Sequence, residues 1–328
     1  MRLRRGVDPA GAVVVVTGAS SGIGRATARR FAAEGASVVL AARGSASLEA
    51  AVEECRREGA RAVGVPTDVA DGAAVEELAR RAVREFGGLD VWVNDAAVMS
   101  YGTLLETPLD VHRRVLEVNL LGTLHGARAA LPAMQERGRG VIVNVGSLYS
   151  KMTSPLVAGY ATSKFGIRGF SEVLRQELKG SPWVSVCTVL PGSVDTPIFQ
   201  HAANATGRRA RPVPPVASPD RVARAIVRCA RHPRREVTVG RLQQVASWGH
   251  TLLPRTYGEL APRAMRLAAL GVTRVEPHPG NVFAPRPDLD GVRGGWRNRP
   301  VRVAVAVAAL GSAGAAAAAA GRGRAPSR

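Results

Sequence analysis

The chain has 328 residues, of which 46% are apolar and 22% charged, a composition that suits one large α/β domain with an extension or two small domains. Its net charge of +19 is unevenly placed, since residues 1–200 carry a net charge of +3 and residues 201–328 a net charge of +16. Only three of the 45 basic residues are lysine. The shortage of acids after residue 200 favours an anionic partner, with a membrane surface or an acidic macromolecule as candidates.

The cysteines exclude a disulfide framework. Cys55, Cys187 and Cys229 are scattered, odd in number and without metal-ligand spacing, which indicates a reducing compartment and no metal site. The basic start at Met1 leads into an apolar run with no cleavage site, so a secretory signal is not indicated. We expect a cytoplasmic protein.

The first element is the stretch Val13–Gly24. Four consecutive valines predict a strand buried on both faces, and glycines follow at positions 18, 22 and 24 before a helix-favouring segment. In an arrangement of strand, glycine-rich turn and helix, Gly18 can make the tight turn and Gly22 lets a phosphate approach the backbone. Gly24 lets the helix pack close to the strand. Many strand–helix turns carry glycine for packing alone, so this triplet by itself leaves both readings open.

Further strands and helices alternate along the chain. Predicted strands cover residues 36–42, 62–66, 89–94, 140–145, 184–190 and 236–240; predicted helices cover 47–58, 75–86, 108–137, 158–179 and 220–231. Because the strands are apolar throughout, the pattern predicts an α/β fold of the Rossmann type, a doubly wound parallel sheet with helices on both faces.

Polar residues follow four of these strands. Asp68, Asn94, Ser147 and the pair Pro191–Gly192 come where successive strands end. Each alone is an ordinary turn former, but in a parallel sheet all of them gather at one edge. Their joint position predicts a ligand site there.

The segment Tyr160-Ala-Thr-Ser-Lys164 places a phenol and an ammonium one helical turn apart. The cation is expected to lower the pKa of the tyrosine and make it a usable general acid/base, while Ser147 could bond a substrate oxygen. A solvated i,i+4 pair on a helix surface is the competing interpretation.

The full set of motifs resembles the short-chain dehydrogenase/reductase family over about residues 10–240. The motifs are Thr17-Gly-x-x-x-Gly-x-Gly24, Asp68-Val69, Asn94, Asn119, Ser147, Tyr160-x-x-x-Lys164 and Pro191-Gly-x-Val-x-Thr196. The resemblance implies an NAD(P)-dependent oxidoreductase acting on an alcohol or carbonyl group.

By the same resemblance, the catalytic residues are four. Tyr160 exchanges the proton, Lys164 binds the nicotinamide ribose, Ser147 positions the carbonyl, and Asn119 holds a water. The implied cofactor-binding residues are Gly18, Ser20, Ser21, Gly22, Ile23, Gly24, Arg43, Asp68, Val69, Asn94, Tyr160, Lys164, Val194 and Thr196.

Two departures from the family pattern stand out. The usual Asn-Asn-Ala-Gly is Asn94-Asp-Ala-Ala97 here, which we expect to alter packing or loop shape rather than abolish binding. Where NAD-preferring members place an acid after the second strand, this chain has Ala42 and Arg43. Arg43 could pair with a 2′-phosphate, so NADP is the expected cofactor, with NAD or a solvated Arg43 as the alternative.

The segments after residue 197 carry less specific patterns. Residues 198–218 are expected to cover the substrate, with His201 as a loop residue. Residues 241–277 form a helical segment that packs over the substrate cleft or lies on an interface as a basic amphipathic lid. Residues 278–328 form a Pro/Gly/Arg-rich arm and an alanine-rich tail.

Within that tail, Val303–Ala320 has no charged residue and is flanked by arginines. Its length just reaches a membrane span, but alanine drives insertion weakly. Attachment to the cytoplasmic face of a membrane and a disordered tail are equally compatible with it.

Together these features predict an NADP-dependent oxidoreductase with an apolar substrate. A non-catalytic dinucleotide-binding sensor is the alternative. A nucleic-acid-binding protein is not expected, since no recognised module accompanies the arginines. The family resemblance implies a homo-oligomer, a dimer or tetramer.

Overall fold

The computed structural model describes residues 6–181 and 183–297. Within them, eleven strands are found: β1 (Val13–Thr17), β2 (Ser37–Ala42), β3 (Ala62–Pro66), β4 (Val91–Asn94), β5 (Ser100–Tyr101), β6 (Gly140–Val145), β7 (Val184–Pro191), β8 (Ala203–Asn204), β9 (Arg208–Ala210), β10 (Glu236–Val239) and β11 (Leu270–Arg274). Seven of them form a parallel sheet in the order β10-β7-β6-β4-β1-β2-β3. The predicted doubly wound α/β fold is confirmed.

The helices are α1 (Gly22–Ala33), α2 (Ser45–Arg57), α3 (Gly72–Phe86), α4 (Leu109–Leu116), α5 (Gly122–Glu136), α6 (Ala158–Glu177), α7 (Ile198–His201), α8 (Pro219–Arg231), α9 (Arg241–Leu252) and α10 (Pro254–Ala269). Two hydrophobic cores lie on opposite faces of the sheet. Phe31, Val52 and Ile226 pack on one face, and Leu78 and Met134 on the other. Burying each such side chain contributes about 1.5–3 kcal/mol, so both layers hold the sheet.

The region predicted as one helix from residue 108 to residue 137 is interrupted. A π-helical turn, Glu117–Leu121, separates α4 from α5 and contains Asn119. Such turns insert a residue into a helix and reorient the side chains beside it. Residue spacing did not indicate this turn, because the apolar pattern continues through it.

The segment after β10 forms α9 and α10, which meet at Leu253. Pro254 begins α10, where the missing N–H costs nothing, whereas Pro262 lies inside that helix. β11 then pairs antiparallel with β9. The predicted helical segment is therefore two helices and a short strand.

Residues 278–296, here named the C-terminal strap, return across the carboxyl edge of the large sheet. An antiparallel bridge joins His278 to Asn204 at its start, and Trp296 is buried at its end. The sequence predicted an extended arm here but no docking of it. The predicted tail element Val303–Ala320 lies outside the described residues.

No helix in the described part of the chain combines the length and apolar character needed to cross a bilayer.

Candidate active site

A cavity of about 1030 Å³ lies at the carboxyl ends of the parallel strands. The loops after β1, β2, β3, β4, β6 and β7 all contribute to its lining, as expected for a doubly wound sheet. α9, α10 and the C-terminal strap close it from outside. The cavity is large enough for a dinucleotide and a small substrate together.

The glycine-rich turn has the geometry that its sequence predicts. Gly18 has a φ of +71°, and a Cβ there would lie 2.8 Å from the Cα of Ala96. A Cβ on Gly24 would lie 2.3 Å from the carbonyl oxygen of Gly18. Larger residues at these positions would push the helix away from the turn.

The backbone amides at the start of α1 are used in three different ways. The Gly22 N–H donates to the carbonyl of Gly291 at 2.8 Å, and the Gly24 N–H donates to the carboxylate of Asp95. Among the described residues, no acceptor is found for the Ile23 N–H, and Ser21 makes no side-chain cap. A free amide at a helix N-terminus suits a phosphate oxygen.

Most of the residues predicted to bind a dinucleotide line the cavity. The residues predicted to bind it that line the cavity are Gly18, Ser20, Ser21, Gly22, Ile23, Arg43, Asp68, Val69, Tyr160, Lys164, Val194 and Thr196. With glycines at the close contacts and a free amide at Ile23, the cleft fits a pyrophosphate cofactor.

Ser147, Tyr160 and Lys164 meet at one end of the cavity. Ser147 begins a short 3₁₀ turn after β6 and hydrogen-bonds to the Tyr160 phenol. The Lys164 ammonium donates to the carbonyl of Val145 at 3.0 Å and lies 5.5 Å from the centre of the Tyr160 ring. Both α6 residues are buried, so the alternative of a solvated surface pair is wrong.

The expected lowering of the Tyr160 pKa is not found. Burial raises the pKa of Tyr160, and the hydrogen bond from Ser147 offsets only part of that effect. The charge of Asp95 raises the pKa of Tyr160 further. Burial also lowers the pKa of Lys164, although Asp95 opposes this. Desolvation outweighs the attraction that the sequence spacing suggested.

Asn119 lies behind the cavity rather than in its lining. Its side-chain oxygen accepts from the Val98 N–H at 2.8 Å, and its amide donates to the Val98 carbonyl and to the Ser163 hydroxyl, both at 3.0 Å. The side chain thus fixes the loop after β4 against α6. Its predicted role in holding a water stays a prediction.

Asn94 is also placed in the core. Its side-chain oxygen accepts from the Trp92 indole at 2.7 Å, and its amide donates to Asn144 at 2.9 Å. A Cβ on Gly126 would lie 2.2 Å from that oxygen, so α5 packs directly over it. The side chain joins neighbouring strands and does not line the cavity.

Around the end of β2 and β3, the predicted residues are held by other protein groups. Asp68 forms an ion pair with Arg114. The guanidinium of Arg43 donates to the carbonyls of Asn281 and Val282 in the C-terminal strap. Burial lowers the pKa of Arg43, and Asp68 opposes that change. The sequence indicated Arg43 but not its partners.

Val194 and Thr196 line the cavity at the end of β7. His201, predicted as a loop residue, lies at the end of α7 and is buried, with its ring nitrogen 3.7 Å from Asp290. Burial lowers the pKa of His201. It contributes a neutral imidazole to the cavity wall.

Sequence reasoning missed two features of the site. One is the C-terminal strap. The only indication of it in the sequence is a high glycine content in a segment without periodicity. The other is Asp95, which the sequence marks as a family departure but not as a titratable group in the cavity lining. Burial raises the pKa of Asp95 to about 7, and Lys164 opposes that shift.

The far end of the cavity is apolar. Its walls come from the 3₁₀ turn after Ser147 and from α9 and α10, and the side chains are Leu148, Met152, Val245, Leu253, Leu260 and Met265. Tyr149 packs edge-on against Tyr160 with ring centres 6.1 Å apart. Burial raises the pKa of Tyr149, which keeps its phenol neutral.

Within the described part of the chain, no three His, Cys, Asp or Glu side chains are grouped as a metal site. The thiols of Cys55, Cys187 and Cys229 are buried, and that of Cys187 donates to the carbonyl of Cys229 at 3.7 Å.

Comparison with known proteins agrees with this architecture. A family model described as short chain dehydrogenase matches residues 12–206. The uncharacterized oxidoreductase YxnA of Bacillus subtilis (strain 168) is 36% identical over 256 residues, covering 77% of this chain and 72% of that protein. Dehydrogenase/reductase SDR family member 7B of Rattus norvegicus is 37% identical over 204 residues, covering 60% of this chain and 62% of that protein.

A similar solved structure is the short chain dehydrogenase/reductase of Burkholderia phymatum in complex with NAD. It aligns with a TM-score of 0.68 at 27% identity, covering 76% of this chain and 97% of that one. The family match spans more than half of the chain and includes the glycine turn and the Tyr160–Lys164 pair. The chain is therefore a member of the short-chain dehydrogenase/reductase family of oxidoreductases.

Proposed function

We propose that the protein is an NADP-dependent oxidoreductase that interconverts an alcohol and a carbonyl group on an apolar substrate. The observation that carries the proposal is one cavity that joins the glycine-rich turn to Ser147, Tyr160 and Lys164 and then to an apolar chamber. A dinucleotide sensor without turnover would not need that third part.

The proposed mechanism assigns each side chain a task. When bound, the nicotinamide supplies or accepts the hydride. Ser147, which already bonds the Tyr160 phenol, holds the substrate oxygen beside it. Tyr160 gives its proton to that oxygen in reduction and takes it back in oxidation. Lys164 stabilises the phenolate through its positive charge.

The raised pKa of Tyr160 supports a starting state with a protonated phenol. That state is the acid needed to reduce a carbonyl. Oxidation of an alcohol requires the phenolate, so Lys164 and the bound cofactor's charge matter more in that direction. We therefore expect reduction to be the more readily observed direction near neutral pH.

The proposal of an apolar substrate rests on the apolar side chains that line the chamber. Leu148, Met152 and Met265 line the cavity beyond Ser147 and Tyr160. The phenol of Tyr257 donates to the Thr153 carbonyl, and that of Tyr149 contacts the Met265 sulfur. Apolar side chains therefore dominate this part of the lining, to which Thr256 and Arg263 of α10 add polar groups. Ketones and aldehydes with hydrocarbon groups fit this chemistry.

The test is turnover of NADPH with a panel of apolar carbonyl compounds in Tyr160→Phe and in Lys164→Met. Each variant should lose about 10²–10⁴-fold in kcat while still binding NADPH. Lys179→Met is the matched control, since Lys179 lies in an exposed turn away from the cavity. Full turnover in Tyr160→Phe would overturn the mechanism.

NADP is proposed over NAD from the charge at the end of β2. Arg43 lines the cavity at the position where NAD-preferring members of the family carry an acid. An acid there would repel a 2′-phosphate, whereas the guanidinium of Arg43 can pair with it. The test is the ratio of kcat/KM for NADPH to that for NADH, before and after Arg43→Ala. A preference for NADPH that falls by about tenfold or more supports the proposal. An unchanged ratio contradicts it.

We also propose that the protein is a homo-oligomer that pairs through α4 and α6. Leu109, Leu121, Phe165 and Val173 leave part of their apolar surface exposed on this side of the molecule. Light scattering behind a size-exclusion column should give a dimer or tetramer, and Val173→Asp should shift it toward the monomer. A monomeric wild type would contradict the pairing.

A further inference from the structure

The C-terminal strap is anchored along the whole length of the dinucleotide cleft. Three groups of contacts hold it: at the glycine-rich turn, at the end of β2, and beyond the end of β7. In a dinucleotide site these places face the pyrophosphate, the adenosine ribose and the nicotinamide. The strap therefore spans the cofactor site from one end to the other.

At the glycine-rich turn, one strap carbonyl takes two donors. The oxygen of Gly291 accepts the backbone N–H of Gly22 at 2.8 Å and the hydroxyl of Ser21 at 3.1 Å. The neighbouring Ile23 amide is left without an acceptor among the described residues. The strap thus closes over the turn and leaves one amide for a phosphate oxygen.

At the end of β2, the Arg43 guanidinium is clamped by the strap backbone. It donates to the carbonyl of Val282 at 3.0 Å and also to the carbonyl of Asn281. Val282 is fully buried, which fixes this part of the strap in the hydrophobic core. The position of a cation at the ribose end therefore depends on the strap.

Beyond β7, the end of the strap is inserted between polar groups. The Trp296 N–H donates to the Asp195 carboxylate at 2.6 Å, and its indole N–H donates to the Thr196 carbonyl at 3.2 Å. Its ring packs edge-on against Phe199 at 6.0 Å. Gln200 donates to the carbonyl of Gly294 at 2.8 Å.

The strap forms a wall of the cavity and does not fill it. Asn281 and Asp290 line the same space as Gly18, Ser20 and Arg43. The side-chain oxygen of Asn281 is buried and has no hydrogen-bond partner among the described residues. A buried acceptor of this kind is costly unless a ligand hydroxyl or amine reaches it.

We propose that the C-terminal strap is a lid on the dinucleotide site, which must release its anchors before a cofactor enters or leaves. The proposal rests on the proposed function in that the cofactor binds in this cleft. A bound dinucleotide lies between the glycine-rich turn and the strap, with Asn281 as one of its contacts. Opening of the strap then sets how fast the cofactor exchanges.

Two glycines of the strap provide a matched test. A Cβ on Gly294 would lie 2.4 Å from the Thr196 carbonyl oxygen and 2.4 Å from the Trp296 indole nitrogen, so Gly294→Ala should unseat the strap end. A Cβ on Gly291 would meet nothing within 4 Å, so Gly291→Ala should leave the strap in place. Both changes add the same methyl group to the same segment.

The measurement is the rate of NADPH release. It is monitored as the loss of fluorescence from bound NADPH after the complex is mixed with excess NADP⁺. Gly294→Ala should release NADPH about tenfold faster or more, as expected from the loss of one or two hydrogen bonds, and Gly291→Ala at the wild-type rate. Gln200→Ala removes one side chain that hydrogen-bonds to the strap at both Gly294 and Trp296, so it should also release NADPH faster than wild type.

Equal release rates in Gly294→Ala and wild type would overturn the lid. Tighter NADPH binding with an unchanged release rate would also overturn it, because the strap would then be a competitor for the cleft. If only Gly294→Ala unfolds, Gln200→Ala decides between the outcomes. Wild-type protein that binds neither NADPH nor NADH would refute the proposed function itself, which distinguishes the two failures.

Discussion

The carboxylate of Asp95 and the ammonium of Lys164 stabilise each other's charges inside the active-site cavity. Asp95 comes from the loop after β4 and accepts the Gly24 N–H; burial raises its pKa to about 7, so its carboxylate is charged above that pH. Burial alone would drive Lys164 toward its neutral form, and Asp95 is the group that opposes this. An amide at position 95 could not do so.

This relationship predicts a change in pH dependence for Asp95→Asn. The pKa of Lys164 is lowered to about 8 even with Asp95 present, so removing the carboxylate should lower it further. The alkaline fall in kcat/KM should then move to lower pH by about 1 unit. Below pH 7 wild-type Asp95 is itself protonated, so the two profiles should converge there.

The check is a kcat/KM profile from pH 5.5 to 9.5 for wild type, Asp95→Asn and Asp8→Asn. Asp8 is an exposed carboxylate at the opposite, amino edge of the sheet and should leave the profile unchanged. An alkaline limb of Asp95→Asn that coincides with that of wild type would show that Lys164 does not depend on Asp95.

The glycine-rich turn gives a second prediction. Gly24→Ala forces a Cβ to within 2.3 Å of the Gly18 carbonyl and should cost about 1–3 kcal/mol of stability and weaken NADPH binding. Gly169→Ala is the control, since its Cβ meets nothing and alanine favours the α6 helix by about 1 kcal/mol. Urea unfolding and NADPH titration measure both effects. Wild-type stability in Gly24→Ala would contradict the packing argument.

Asn94 should prove structural rather than cofactor-binding. Asn94→Ala leaves the Trp92 indole and the Asn144 amide oxygen without their buried partner, which predicts a loss of about 2–4 kcal/mol in unfolding free energy. Properly folded variant protein should bind NADPH with wild-type affinity. Weaker binding at unchanged stability would instead support the contact with the cofactor that the family resemblance implies.

The alanine-rich tail is testable by fractionation. The full-length protein and a version ending at Pro300 are compared after a high-salt wash of the membranes. Retention of the full-length protein alone would identify Val303–Ala320 as an anchor. Release of both by salt would assign the contact to the arginines, and recovery of both in the supernatant without salt would exclude the anchor.

The central strands of the sheet could be predicted because they are buried on both faces. Runs such as Val13–Thr17 and Ser37–Ala42 are almost wholly apolar and buried along their length, so strand identity follows from local sequence. The gathering of Ser147, Tyr160 and Lys164 then follows from the rule that parallel strands end at one edge.

The π-helical turn and the strap could not be predicted in this way. The π-helical turn at Asn119 is stabilised by tertiary hydrogen bonds to Val98 and Ser163 rather than by residue spacing. The strap has no secondary-structure period, and its position depends on backbone carbonyls that any residue could supply. Only its glycines, such as Gly294, reflect how closely it approaches the domain.

The strap that covers the cleft and the candidate catalytic residues come from separate stretches of the sequence. Trp296 hydrogen-bonds to Thr196 across a separation of 100 residues, yet the matched family segment ends at residue 206. The residues proposed to perform the chemistry and those that cover the cleft therefore lie in stretches of sequence that can vary independently. Under the proposed lid, substitutions in the covering stretch would let natural selection adjust how long a nucleotide stays bound while the reacting groups remain the same.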